Sequence, residues 1–224
     1  MSDETPLRER KRQATRRRIE DAATALVEKH GFESVTVEDI CRDAEISRRT
    51  FFNYMESKDE AVLGAPPMSI AEERRRILLE TPSDNLVKSA LEQIVATGAD
   101  AESEDIEAGA DEDFLHTLRE RRQRIVAAEP SVALMSLNRF REQAKLTHQL
   151  ILDHLRAHPG DRRIHGQPPE IEASIIAGLI RESVWLHMSR MTHCTPSPAD
   201  PESRARMLPE TGRIISEFAK ELSW

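Results

Sequence analysis

Thr36 and Ser47 constrain this chain more than any other pair of residues. Each offers a side-chain oxygen just ahead of a short run with helical apolar spacing, which is where a helix N-cap belongs. Val37, Ile40, Cys41 and Ala44 share one face after Thr36, and Phe51 and Met55 share one after Ser47. Only Glu45 and Ile46 separate the two runs. The pattern predicts a helix from Val37 to about Ala44, a tight turn, and a helix from Arg48 to about Met55. That is helix-turn-helix spacing.

The flanks support it. Ile19, Ala22, Ala23, Leu26 and Val27 form a single helical stripe, with Gly31 placed to end the helix in a left-handed conformation. Phe32 is expected to fold back onto it. Thr36-x-x-Asp39 is a weaker relative of the Thr-x-x-Glu capping box, and Ser57-x-x-Glu60 is the full box. The latter opens a fourth helix that Pro66-Pro67 interrupts.

Beyond this point helices are expected again. Ser83 caps a segment from Asp84 to about Thr97, and Phe114 to about Ala128 is a helix closed by Pro130. Ser131 caps a long helix to His158, stopped by Pro159-Gly160. An apolar segment runs from Pro169 to about His193, then a Pro-rich spacer, then a helix from Glu202 to Leu222. Thr97 to Asp113 holds eight acids and no base and reads as a solvated acidic loop. It fails as a calcium loop, because Asp105 stands where the sharp turn needs Gly and no Glu closes it. There is no strand alternation and no repeat. The fold class is all-α: a small N-terminal unit followed by a bundle.

At 38% hydrophobic and 32% charged residues the balance is that of a globular protein. The formal charge of −8 means that any affinity for nucleic acid must rest on a local patch. Cys41 and Cys194 are too few for a disulfide scaffold and read as reduced thiols. No run reaches the roughly 18 apolar residues of a membrane span, and the basic N-terminus lacks the apolar core of a secretory signal. A cytoplasmic protein is expected.

The local patch is the stretch Ile46–Glu60. Phe51 and Met55 face inward as core. Arg48, Arg49, Phe52 and Asn53 face outward, with Tyr54 at the edge between faces. This is the second helix of the helix-turn-helix, the element that enters a major groove. Thr36, and Ser57 with Lys58, start the neighbouring helices, whose N-termini suit flanking phosphates. Arg8, Arg10, Lys11, Arg12, Arg16, Arg17 and Arg18 form a flexible basic arm against Glu9 alone, able to follow phosphates or a minor groove.

The run RIEDAATALVEKHGFESVTVEDICRDAEISRRTFFNYMESKDE, Arg18–Glu60, resembles the N-terminal domain of TetR-family transcriptional regulators. The resemblance implies a homodimer holding two recognition helices on a palindromic operator in double-stranded DNA. By motif position it implies DNA contacts at Thr36, Ser47, Arg48, Arg49, Thr50, Phe52, Tyr54 and Lys58. Arg48 and Arg49 suit base readout, since arginine pairs bidentately with guanine. Thr50, Tyr54 and Lys58 suit phosphate. Three residues depart from the family pattern: Glu45 stands where Gly is usual in the turn, Phe52 where Tyr is common, and Met55 where Phe is frequent.

Three segments follow: a basic arm at 1–18, the helix-turn-helix domain at 19–64, and a ligand-binding and dimerisation domain at 65–224. Ile171, Ile175, Leu179, Ile214, Ile215 and Phe218 form stripes suited to a four-helix dimer interface. Phe114, Leu118, Met135, Phe140 and Trp185 are the candidates for a pocket taking a small hydrophobic or aromatic inducer. No metal or other cofactor is expected, although His154 and His158, and His187, His193 and Cys194, are spaced closely enough to be considered as ligands. The expected function is a DNA-binding regulator, a repressor released by an inducer. The rival is a helix-turn-helix protein whose bundle takes a protein partner. An enzyme is not expected, since no P-loop, GxGxxG, HExxH or G-x-S-x-G is present.

Overall fold

The computed structural model describes residues 4–193 and 201–221. Their helices are α1 (Glu4–His30), α2 (Val37–Asp43), α3 (Arg48–Tyr54), α4 (Lys58–Leu63), α5 (Glu72–Glu80), α6 (Leu86–Glu107), α7 (Glu112–Ala128), α8 (Pro130–Ala157), α9 (Pro169–His193) and α10 (Pro201–Glu221). One 3-10 turn, Pro159–Asp161, follows α8. The described residues contain no strand, so the chain is all-α. No helix among them is long and apolar enough to cross a membrane. Cys194, spacer residues 195–200, Leu222 and the side chain of His193 lie outside the described residues.

Two compact units are present. The first holds residues 1–66 and 101–139, the second 67–100 and 140–224. The compact division therefore does not follow a single cut at residue 64, because α7 packs on α1. Charge explains the pairing. Arg121 donates to Asp21 at 2.7 Å, Arg124 to Glu28 at 2.7 Å, and Arg122 lies 3.1 Å from Glu20.

In the first unit α1 is longer than its apolar stripe. The basic segment expected as a flexible arm is helical from Glu4 and continuous with the rest of α1. Gly31 ends the helix at φ 83°, as expected, and Phe32 is buried. The two capping boxes exchange rank. Thr36 and Asp39 make the complete reciprocal box. Ser57 accepts from the Glu60 N–H at 3.2 Å, but the Glu60 carboxylate takes the Glu56 N–H instead of its own cap. Its other oxygen is bonded by Arg16 at 2.8 Å, which sets its aim. α4 ends at Gly64, φ 70°, where an added Cβ would lie 2.7 Å from the Arg122 guanidinium.

The turn between α2 and α3 has a left-handed Glu45, φ 52°. The Ile46 N–H bonds to the Cys41 carbonyl at 2.9 Å and the Glu45 N–H to that of Arg42 at 3.3 Å, which is a Schellman stop. A side chain in that conformation costs about 1–2 kcal/mol. Glu45→Gly is therefore expected to stabilise this unit by up to about 1 kcal/mol, after the extra backbone entropy of Gly is counted. A thermal midpoint that fails to rise would contradict strain at this turn.

The acidic run is not a loop. α6 continues through Thr97 to Glu107, and the chain turns only at Gly109, φ 91°. Asn85, and not Ser83, accepts the N–H of its first turn, from Lys88 at 3.0 Å. Its acids find cations: Arg74 holds Asp100, Arg119 lies 3.4 Å from Glu102, and Arg17 bonds Asp105. Arg17 also donates to the carbonyls of Asp105 and Ala108 at 2.8 and 2.7 Å, a cationic cap on the helix end.

The second unit has its own core of Met68, Leu78, Leu86, Leu91, Phe140, Ile151, Leu155, Ile180 and neighbours. α9 and α10 pack together there. Gly212 lets α10 approach closely, since a Cβ on it would stand 2.5 Å from Leu91 Cδ1. Buried His154 braces the ends of α5 and α8. Nδ1 lies 2.6 Å from the Leu78 carbonyl oxygen and Nε2 2.9 Å from the Asp161 carboxylate. His158 Nε2 faces the Leu79 oxygen at 2.8 Å. These two rings thus serve as ties between segments, and among the described residues no cluster suited to a metal ion occurs.

Candidate nucleic-acid interface

α3 is built by its own seven residues and by a core that holds one side of it. Ser47 is the N-cap, accepting from the Thr50 N–H at 3.0 Å, with the two hydroxyls 2.8 Å apart. Phe51 is 0% exposed and Met55 is buried, in a cluster with Ile19, Ile40 and Val62. Methionine fills the place that the family pattern gives to a larger aromatic. Arg48, Arg49, Phe52 and Asn53 are exposed, and Tyr54 is half-buried. One short helix therefore carries core on one side and a cationic, amide-bearing surface on the other.

A groove of about 860 Å³ runs beside that surface. Arg8, Lys11, Arg12 and Thr15 of α1 line it opposite Asn53 and Tyr54, with Glu9 as its one acid. The cations expected on a loose arm are thus presented by a helix, next to the recognition face.

The other arginines of the basic segment are already engaged. Arg16 bonds Glu60, Glu20 and the Tyr54 carbonyl, tying α1 to α3 and α4. Burial works against the Arg16 charge, but the bond to Glu60 and the field of both carboxylates outweigh it and raise its pKa. Arg17 caps α6, and Arg18 donates to the Ala44 carbonyl at 2.7 Å, closing α2.

The sequence-predicted contacts divide by availability. Arg49 is exposed and forms no ion pair among the described residues. Arg48 is exposed but bonded to Glu38 at 2.6 Å. Thr36 and Ser47 spend their hydroxyls on caps while remaining at the surface. Lys58 is turned inward. Its ammonium donates to the carbonyls of Phe32 and Val35 at 2.7 and 2.9 Å and lies 3.8 Å above the Phe32 ring. Two of its three N–H groups are thus committed. Lys58→Ala is expected to lower the thermal midpoint by about 1–2 kcal/mol of stability, since two buried carbonyls lose a charged donor. An unchanged midpoint would mean that Lys58 serves DNA alone.

The sequence missed Glu38, the partner of Arg48, and Arg16 as a brace. Glu38 lies on α2 outside the apolar pattern, and only the docking of α2 on α3 brings it near. The complementary runs on α1 and α7 were the one available signal for their pairing. Cys41 is a buried free thiol with its pKa pushed up by burial, which suits packing and not reactivity.

α2 and α3, joined by the turn at Glu45–Ile46, form a helix-turn-helix packed on α1. Residues 19–63 match the family described as "Bacterial regulatory proteins, tetR family". Over this N-terminal domain the chain is similar to that family. Over 50 residues it is 48% identical to the "Putative mycofactocin biosynthesis transcriptional regulator MftR" of Mycobacterium tuberculosis. That match covers 22% of this chain and 25% of the relative's length. A crystal structure from Mesorhizobium loti, described as a "putative TetR-family transcriptional regulator", aligns with a TM-score of 0.48 at 17% identity. The alignment covers 92% of this chain and 97% of that one.

The five ligand-pocket candidates do not share one compact unit. Phe114, Leu118 and Met135 belong to the first, Phe140 and Trp185 to the second. Leu118 is buried, and Met135 packs against the core that holds α3. Phe114 starts α7. Phe140 and Trp185 meet, with ring centroids 5.7 Å apart.

Proposed function

We propose that this chain is a sequence-specific DNA-binding transcriptional regulator, acting in the cytoplasm as a homodimeric repressor that a small hydrophobic or aromatic inducer releases from a palindromic operator. The exposed Arg48–Arg49 pair on α3, beside the cationic groove of α1, carries the DNA reading. α3 supplies base readout through the two arginines, and Arg8, Lys11, Arg12, Asn53 and Tyr54 track a flanking phosphate strand. The Thr36 O–H goes to Asp39, Ser47 and Thr50 share one bond between their hydroxyls and so keep one O–H for phosphate, and Lys58 has one N–H left to give.

Within residues 65–224, α9 and α10 form the dimer surface. Ile171, Ile175, Ile214 and Phe218 are 44%, 48%, 40% and 66% exposed along these helices. An apolar face of that extent is stabilised when a second copy covers it. The inducer binds in this same region, and the half-exposed Trp185 against Phe140 is the aromatic surface on which it is sought. The ligand must prefer a dimer whose recognition helices no longer fit two half-sites.

Selection of duplexes from a randomised pool by the full chain tests the reading. Enrichment of an inverted repeat is the expected result, and a pool that emerges unchanged contradicts it. With the selected duplex in hand, an inducer is recognised as a compound that raises the thermal midpoint and weakens DNA binding together. A bundle devoted to a protein partner yields no such compound.

A further inference from the structure

We propose that Glu38 and Phe52 are positioning residues for Arg48, holding its guanidinium in a fixed orientation for one base pair of the operator half-site; the proposal rests on the DNA reading above. Arg48 opens α3, and two contacts bound its side chain. Glu38 of α2 accepts from Nη1 at 2.6 Å. Phe52, one turn further along α3, lies with its ring centroid 5.5 Å from the guanidinium carbon. Phe52 is in turn held edge-on against Phe51, centroids 5.3 Å apart and planes at 83°. Phe51 is fully buried. Rigidity passes from core to Phe51, to Phe52, to Arg48.

An ion pair this exposed adds little to stability. Its use is orientation. The aromatic ring takes the guanidinium face and Glu38 takes Nη1, so the Nε–Nη2 edge stays open for a two-pronged bond to guanine O6 and N7. This accounts for a phenylalanine on an outward face: the position supplies a flat apolar surface, and no hydroxyl is needed. Glu38 also sets a negative charge beside the DNA, which lowers affinity for any duplex and leaves the arginine's base contact to decide between sequences. Arg49 has no such brace among the described residues and reads a different position.

Two measurements on the full chain test this. In the free protein, nitrogen NMR of the Arg48 side chain reports rotation about its Nε–Cζ bond. Glu38→Gln and Phe52→Leu are expected to speed that rotation, with Phe52→Trp restoring it. Equal rotation in all variants overturns the proposal. In duplex selection, Glu38→Gln and Phe52→Leu are expected to flatten the one column that Arg48→Ala flattens, by about three- to tenfold in preference. The column belonging to Arg49 stays intact. Glu38→Gln is also expected to bind an unselected duplex more tightly. Full contrast in the Arg48 column of both variants again overturns the proposal. If the wild-type chain selects no sequence, the DNA reading itself has failed, and the NMR result still decides whether Arg48 is held.

Discussion

Phe51→Ala is expected to destabilise the N-terminal unit by about 3–5 kcal/mol. Phe51 has no exposed surface and sits among Ile19, Ile40, Met55 and Val62, contributed by α1, α2, the end of α3 and α4. Removing its ring leaves a cavity where these helices meet, and a loss of that size is a large part of the stability of a small unit. The neighbouring Phe52→Ala change, at a residue 47% exposed, should cost under about 1 kcal/mol. Urea unfolding followed by circular dichroism separates the two. Similar losses in both variants would contradict the assignment of one phenylalanine to the core and the other to the surface.

The second large effect belongs to the buried imidazole of the other unit. His154→Leu is expected to cost about 2–4 kcal/mol, because the Leu78 carbonyl and the Asp161 carboxylate both lose the ring nitrogen that faces them. Asp161 adds an acid dependence. The backbone N–H of Ser83, then His154, hold its carboxyl below the usual carboxylate range. A depressed folded pKa contributes stability above the ordinary carboxylate value and loses it as pH falls through the folded value, here below about pH 4. Asp161→Asn should lower stability at neutral pH and remove this part of the acid-limb decline. An acid limb identical to the wild type would place the decline on other groups.

Much of the helix-turn-helix unit was legible because local chemistry decides it. Caps at Thr36 and Ser47, the stop at Gly31 and the left-handed Glu45 are set by residues within a turn of each other. The inward and outward faces of α3 follow from helical spacing around Phe51 and Met55. What the sequence concealed depends on residues far apart in the chain. The acidic run looked like a loop because its cationic partners, Arg17, Arg74 and Arg119, lie on other helices. The basic segment looked free because Arg16 and Arg17 find their acceptors at Glu60 and Asp105. The inward turn of Lys58 was hidden because its two acceptors, the carbonyls of Phe32 and Val35, lie 26 and 23 residues away in the chain. Size and apolarity single out Phe114, Leu118, Met135, Phe140 and Trp185 in the sequence, and neither property assigns a residue to one compact unit.

DNA affinity of the Arg48→Ala/Arg49→Ala double variant tests the central claim most directly. Fluorescence anisotropy on the selected duplex and on a scrambled one, at fixed salt, supplies the comparison. Two lost base-reading arginines should lower affinity for the selected duplex at least about a hundredfold, to the level of the scrambled one. Retention of wild-type affinity and preference by this variant, with its fold intact, would show that α3 does not read DNA.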